Sequence, residues 1–124
     1  MTIYKMSMGQ TQRAFVRAVA LLILYIYERG YECSFGDASA TAGHRKNSLH
    51  YVRLAIDLNL FRDGEYLTTT EAHREFGRFW KSLHVGCRWG GDFDNPDGNH
   101  YEMMPAQVGM PPAQAGEKEE GKIA

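Results

Sequence analysis

The chain has 124 residues and a formal net charge of −1, with 44% hydrophobic and 23% charged residues. This length fits one compact domain with its own core, and the composition is that of an ordinary globular protein. The near-zero charge argues against nucleic acid as a partner, because a polyanion is held by a basic surface.

The first predicted element is a helix from Gln10 to Arg29, where apolar residues recur at helical spacing and Gly30 marks the end. Residues 18–27 are wholly apolar and follow basic residues, as in a secretory signal peptide. No small-residue cleavage site follows, and the run is shorter than the ~20 residues needed to span a bilayer. We therefore expect a buried helix, no stable membrane insertion, and synthesis in the cytoplasm without a signal peptide.

Short strands and one further helix follow. Strands are predicted at residues 31–35, 55–61, 66–67, 87–89 and 99–103, with a loop at 36–47 and a hairpin turn at Asp63-Gly64. Thr68 and Glu71 have capping-box spacing. The apolar stripe behind them predicts the second helix: Ala72, Phe76, Phe79, Trp80 and Leu83. This order of elements predicts an α+β fold, a small and mostly antiparallel sheet flanked by helices.

The domain is expected to cover residues 1–104, and residues 105–124 are expected to form a flexible tail. The tail contains three prolines and a Glu-Lys-Glu-Glu run, and it has no periodic apolar pattern. Cys33 and Cys87 lack the spacing of a zinc ribbon or a redox motif. They are interpreted as buried thiols, although a disulfide between them stays open at this point.

Two separate segments carry side chains that could bind zinc. His50 lies seven residues before Asp57, and Asp97 lies three residues before His100. Asp57 stands inside an apolar strand, where a carboxylate must be paired or bound to a metal. Two imidazoles and one carboxylate would leave a fourth tetrahedral position open, as in a catalytic zinc site. Asp97 is then the candidate acid/base.

Other interpretations of these residues stay open. The two histidines could be unrelated polar residues, with Asp57 capping a turn or pairing with Arg53. Spacing alone is a weak signal, and the sequence contains no HExxH motif. Trp89, next to Gly90-Gly91, could form the floor of a substrate cleft or belong to the core.

The stretch from Ser48-Leu49-His50 to Ala55-Ile56-Asp57, together with Asp97-Gly98-Asn99-His100, resembles the D-Ala-D-Ala carboxypeptidase-like zinc peptidases. These belong to the lysostaphin, D-Ala-D-Ala peptidase and hedgehog group, with a typical SxHxxGxAxD motif and a distal (D/E)xxH. The likeness runs from about Gln10 to Glu102 and is greatest to phage endolysins of the L-alanyl-D-glutamate endopeptidase type.

The resemblance implies a role for several residues. His50, Asp57 and His100 match the Zn²⁺ ligands, and Asp97 matches the catalytic acid/base. Ser48 matches a serine beside the metal that orients the loop near the substrate. Two departures stand out. Arg53 occupies the position of the usual glycine, and Ser39-Ala40-Thr41 stands where the family carries an arginine, for which Arg45 is the nearby substitute.

The function implied is hydrolysis of a peptidoglycan stem peptide by a monomeric zinc metallopeptidase, an L-alanyl-D-glutamate endopeptidase serving in bacteriophage host lysis. It would reach the cell wall or periplasm through a holin or with the virion. Two alternatives are a D-Ala-D-Ala carboxypeptidase and a weakly active or inactive zinc-fold protein with a binding or virion role. The missing arginine keeps the last of these open.

Overall fold

A computed structural model describes residues 6–37 and 48–105 of the chain. In it, two helices pack on one face of an antiparallel sheet of five strands, which confirms the predicted α+β fold. The elements are α1 (Met8–Glu28), β1 (Glu32–Phe35), β2 (Ala55–Arg62), β3 (Glu65–Leu67), α2 (Arg74–Leu83), β4 (Cys87–Trp89) and β5 (His100–Met103). Short 3-10 helices lie at Leu49–Val52, Glu71–His73 and Gly90–Asp92.

The strand order is β1-β2-β5-β4, and β3 also pairs with β2. The register places Asp57 of β2 opposite His100 of β5, and Glu102 of β5 opposite Arg88 of β4. Successive side chains of a strand point to opposite faces of a sheet. All four of these side chains therefore lie on the same face.

The other face of the sheet carries the core. Ile56, Leu58 and Leu60 of β2 are buried there, as the alternation of the strand predicts. Both helices contribute apolar side chains to the same cluster, among them Phe15, Leu22 and Ile26 of α1 and Phe76, Trp80 and Leu83 of α2. The fold thus separates a helix-covered apolar face from a face that is free for polar side chains.

Helix starts differ from the sequence-based predictions. Ser7 caps α1 through a capping box with Gln10, so the helix begins earlier than expected. No capping box forms at Thr68, and the prediction of one there is wrong. Instead, Thr69 Oγ1 accepts a hydrogen bond from the Ala72 backbone N–H, and a 3-10 turn precedes α2. A one-residue shift in the cap is enough to change the local geometry.

Predictions about the cysteines, the hairpin turn and membrane insertion can be compared with the structure. No disulfide joins Cys33 and Cys87; Cys87 is buried as expected, whereas Cys33 is only half-buried. The Asp63-Gly64 turn forms with positive φ at both residues, as a type I′ hairpin turn requires. In the described residues, no helix has the length and apolar character to cross a membrane. Most of the predicted 36–47 loop and nearly all of the 105–124 tail lie outside the described residues.

His73 is a buried polar residue between α2 and the sheet. Its Nδ1 lies 2.8 Å from the hydroxyl oxygen of Tyr101. Burial lowers the pKa of His73 from 6.5 to about 4, because an imidazolium there would lose its hydration. His73 is therefore neutral in the folded protein near pH 7.

Because the folded pKa lies below the unfolded value of 6.5, the unfolded chain takes up this proton first as the pH falls. His73 should therefore remove stability between pH 6.5 and pH 4, at up to about 1.4 kcal/mol per pH unit. In His73→Gln, urea unfolding of the metal-free protein should show a flatter decline over this range. His84, whose pKa burial also lowers, contributes a separate share that His84→Gln measures. An unchanged slope in His73→Gln would contradict the assignment.

Candidate active site

His50 is placed by the 3-10 helix at Leu49–Val52. Ser48 caps this helix, with its Oγ accepting a hydrogen bond from the His50 backbone N–H at 3.2 Å. The helix ends at Arg53, whose φ of 59° and ψ of 39° lie in the left-handed region. This tight turn directs the imidazole against the sheet, where His50 is only 1% exposed.

The other two members of the cluster come from neighbouring strands. Asp57 and His100 are directly opposite each other in the β2–β5 pairing, so their side chains lie together on the polar face. Gly36 runs beside Asp57, and its N–H donates to the Asp57 carbonyl at 2.7 Å. A Cβ at Gly36 would lie 3.0 Å from the Cβ of Asp57, so a larger residue would crowd the carboxylate.

Three potential ligand atoms form a nearly equilateral triangle. His50 Nε2 lies 3.1 Å from His100 Nδ1 and 3.2 Å from Asp57 Oδ1, and His100 Nδ1 lies 3.3 Å from the same oxygen. A tetrahedral zinc ion with bonds of about 2.0–2.1 Å separates its ligand atoms by about 3.3 Å. Burial of Asp57 Oδ1 between two imidazole nitrogens leaves this oxygen without a well-formed hydrogen bond in the described residues. The distances and the donor set both fit Zn²⁺.

The charge of His100 responds to the same neighbours. Burial lowers the pKa of its imidazole, but attraction to the Asp57 and Glu102 carboxylates outweighs burial and raises the pKa to about 9. Without a metal, a proton on His100 therefore takes the place of a positive ion between carboxylates. Zinc would have to displace this proton, because a ligating imidazole is neutral.

Asp97 is held by the turn that leads into β5. Its N–H donates to the Gly90 carbonyl at 2.9 Å, and its own carbonyl accepts from the His100 N–H at 3.1 Å. A Cβ at Gly90 would lie 2.1 Å from the Asp97 carbonyl oxygen and 2.8 Å from the Cβ of His100. Gly90 thus allows the loop to close tightly. Asp97 itself is exposed, in the turn whose backbone contacts His100.

A cleft of about 200 Å³ begins at Asp97. On one side it follows the polar face of β2, where Asn59 is the next outward residue after Asp57. Amide and hydroxyl groups predominate in its lining: Asn59, Tyr66, Leu67, Thr68, Thr70, His73, Pro96, Asp97, Gly98 and Asn99. Because His73 is neutral, the described residues of these walls contribute no cation, and Asp97 is their acidic residue.

The structure brings some of the predicted site residues together and places others elsewhere. The structure brings His50, Asp57 and His100 together and places Asp97 at the adjoining turn. Ser48 orients the helix that carries His50. The expectation that Trp89 contacts substrate does not fit its burial: Trp89 is 1% exposed, and its Nε1 donates to the Gly98 carbonyl at 2.7 Å. Arg45 lies outside the described residues.

Trp89 packs between glycines and holds the turn that precedes His100. A Cβ at Gly77 of α2, or at Gly91, would lie 2.2 Å from an atom of its ring. The indole is therefore sandwiched between these two backbones on the helix side of the sheet. From there it fixes the Gly98 carbonyl and, through it, the turn between Asp97 and His100.

Two site residues were missed at the sequence level. Glu102 is buried, and its Oε1 lies 2.7 Å from His100 Nε2. Arg88 donates from Nε to Glu102 Oε2 at 2.8 Å and also from Nη2. The available signal was Glu102 two residues after His100, which puts both on one face of a strand. Its partner Arg88 becomes visible only through the β4–β5 register.

Comparisons with known proteins agree with this arrangement. The sequence model of a family described as D-alanyl-D-alanine carboxypeptidase matches residues 41–103, a span that includes the three clustered side chains and Asp97. Among solved structures, the chain is similar to the L-Ala D-Glu endopeptidase ChiX of Serratia marcescens, with a TM-score of 0.54 and 15% identity. That match covers 82% of this chain and 89% of the other, and it shows a shared fold. No curated protein matches the sequence.

The left-handed conformation of Arg53 yields a stability prediction. A side chain at φ of 59° is disfavoured by about 1 kcal/mol relative to glycine. Arg53→Gly should therefore raise the free energy of unfolding by up to about 1 kcal/mol, whereas Arg53→Ala should give no gain. Urea unfolding of the three proteins measures this. Equal stabilisation by alanine would show that removal of the arginine side chain, rather than relief of the backbone, is responsible.

Proposed function

The chain belongs to the D-alanyl-D-alanine carboxypeptidase family of peptidases, and we propose that it is a zinc-dependent hydrolase of the peptidoglycan stem peptide. Within that class, we propose L-alanyl-D-glutamate endopeptidase activity. The observation that carries the proposal is the triangle formed by His50 Nε2, Asp57 Oδ1 and His100 Nδ1, with sides of 3.1, 3.2 and 3.3 Å. Three ligands with an open fourth position are the arrangement of a catalytic zinc site.

In the proposed reaction, the zinc ion and the protein side chains have separate roles. When bound, Zn²⁺ supplies a Lewis acid that polarises a carbonyl and acidifies water. His50, Asp57 and His100 would hold it, and the aspartate would compensate part of its charge. The Asp97 carboxylate, exposed at the adjoining turn, accepts the proton of the attacking water and returns it to the leaving amine nitrogen.

The cleft next to Asp97 favours cleavage of an internal amide bond. A carboxypeptidase has to accommodate the terminal carboxylate of its substrate, for which an arginine or lysine is the usual partner. Among the described residues, the lining of this cleft has neither. Its amide and hydroxyl groups instead suit the backbone of an extended peptide, which supports the endopeptidase over the carboxypeptidase. The Serratia marcescens protein with the similar fold is itself an L-Ala D-Glu endopeptidase.

We also propose that the protein serves as a bacteriophage endolysin that acts on the wall after release by a holin or delivery by the virion. The support is the resemblance of the segment from Ser48 to Asp57 and of the Asp97–His100 turn to phage members of the family. Co-expression with a holin in a Gram-negative host tests this role, since culture turbidity should fall only when both genes are present.

Two variants should separate metal binding from turnover. Asp97→Asn should retain zinc and lose about 10²–10⁴-fold in kcat on purified cell walls, because it cannot take up a proton. His50→Ala should lose both zinc and activity, since it removes one of three ligands. Metal content is measured by elemental analysis, and turnover by mass spectrometry of the released peptides.

Asp94→Asn is the matched control, because Asp94 is an exposed carboxylate in the same loop. It should keep both zinc and activity. Full activity of Asp97→Asn would remove Asp97 from the mechanism. Zinc binding by the unaltered protein without any wall degradation would overturn the hydrolase function and favour a binding role.

A further inference from the structure

Glu102 is an acidic side chain in the interior of the protein, next to the candidate zinc site. It is 5% exposed and stands on β5 two residues after His100. A buried carboxylate is costly unless it is paired or hydrogen-bonded. Both of its oxygens are engaged, Oε1 with the His100 ring and Oε2 with Arg88. Because both oxygens are hydrogen-bonded, the carboxylate of Glu102 is held in one defined position.

The two nitrogens of His100 face different partners. Nδ1 faces His50 and Asp57, whereas Nε2 lies 2.7 Å from Glu102 Oε1. An ionised carboxylate only accepts hydrogen bonds, so Nε2 carries the hydrogen of the neutral imidazole. The lone pair is then on Nδ1, the atom that points at the other two ligands.

Arg88 holds the carboxylate from the far side. The β4–β5 register places it directly opposite Glu102, and its guanidinium donates twice to Oε2. Its charge offsets the burial cost of the carboxylate. The Phe93 ring contacts both groups: its centroid lies 5.6 Å from that of His100 and 5.9 Å from Arg88 Cζ.

We propose that Glu102 is the positioning residue that fixes His100 as an Nδ1 donor for zinc, and that Arg88 holds Glu102 in place. This inference rests on the proposed zinc function. Partners of this kind raise the basicity of a ligating imidazole and set its orientation. The chain Arg88–Glu102–His100 thus preorganises the metal site from the polar face of the sheet.

The test is zinc affinity, measured on metal-free protein by competition with a chromophoric chelator. Glu102→Leu should weaken zinc binding about 10–100-fold. Glu102→Gln should recover most of that loss, because its amide oxygen can accept the same hydrogen bond. Arg88→Met should weaken binding by less than Glu102→Leu. The matched control is Glu65→Gln, an exposed glutamate on β3, which should change nothing.

A second readout separates positioning from a role in stability. With Co²⁺ in place of zinc, the visible absorption bands should shift in Glu102→Leu and stay close to the unaltered protein in Glu102→Gln, since band position reports ligand geometry. Urea unfolding of the metal-free variants gives stability independently. If Glu102→Leu does not fold, the comparison between Glu102→Gln and Arg88→Met carries the test, with the affinity loss expected in Arg88→Met.

The outcomes are distinguishable. Unchanged zinc affinity in Glu102→Leu, or in Arg88→Met where only that variant folds, overturns this inference and leaves the proposed hydrolase function standing. An affinity loss in Glu102→Gln as large as in Glu102→Leu also overturns it, because an acceptor would then not suffice. Absence of zinc binding by the unaltered protein overturns both proposals.

Discussion

The pairing of β2 with β5 places Asp57 opposite His100, and the helix that carries His50 and the turn that carries Asp97 pack against this pair. In an antiparallel pair, a shift by one residue would turn every side chain to the opposite face. Asp57 would then enter the core, and Ile56 would face solvent. Burial of Ile56, Leu58 and Leu60 under the helices therefore fixes the orientation of the ligands. The apolar face of β2 thus determines on which face of the sheet the candidate zinc ligands lie.

Close backbone contacts at glycines also position the site residues. Gly36 and Gly90 let neighbouring segments run so close to Asp57 and Asp97 that a Cβ would collide or crowd the site. Gly77 and Gly91 do the same for the ring of Trp89. The Trp-Gly-Gly sequence is thus a device for packing a loop against the sheet. Substrate contact by the tryptophan is unnecessary to explain it.

The sequence allowed much of this to be anticipated, and the failures have physical causes. The alternation in β2 predicted which face Asp57 occupies, and the family motifs brought in His50 and His100 from distant segments. Glu102 shares a strand face with His100 in the sequence, but its partner Arg88 could not be recognised, because that contact depends on which strand pairs with β5. Trp89 could not be assigned to the core or to the cleft, since both interpretations require a tryptophan beside glycines. The hydroxyl that caps the turn before α2 belongs to Thr69, one residue after the predicted Thr68.

The separation of the ligands along the chain has an energetic consequence. His50 and His100 are 50 residues apart in sequence, yet their ring nitrogens lie 3.1 Å apart in space. An ion held by both would act as a cross-link that closes a long loop, and closing such a loop restricts the unfolded chain in the way a disulfide does. Since the described residues contain no disulfide, the bound ion would be their strongest cross-link. Its reversibility would let the availability of metal set how long the folded domain survives.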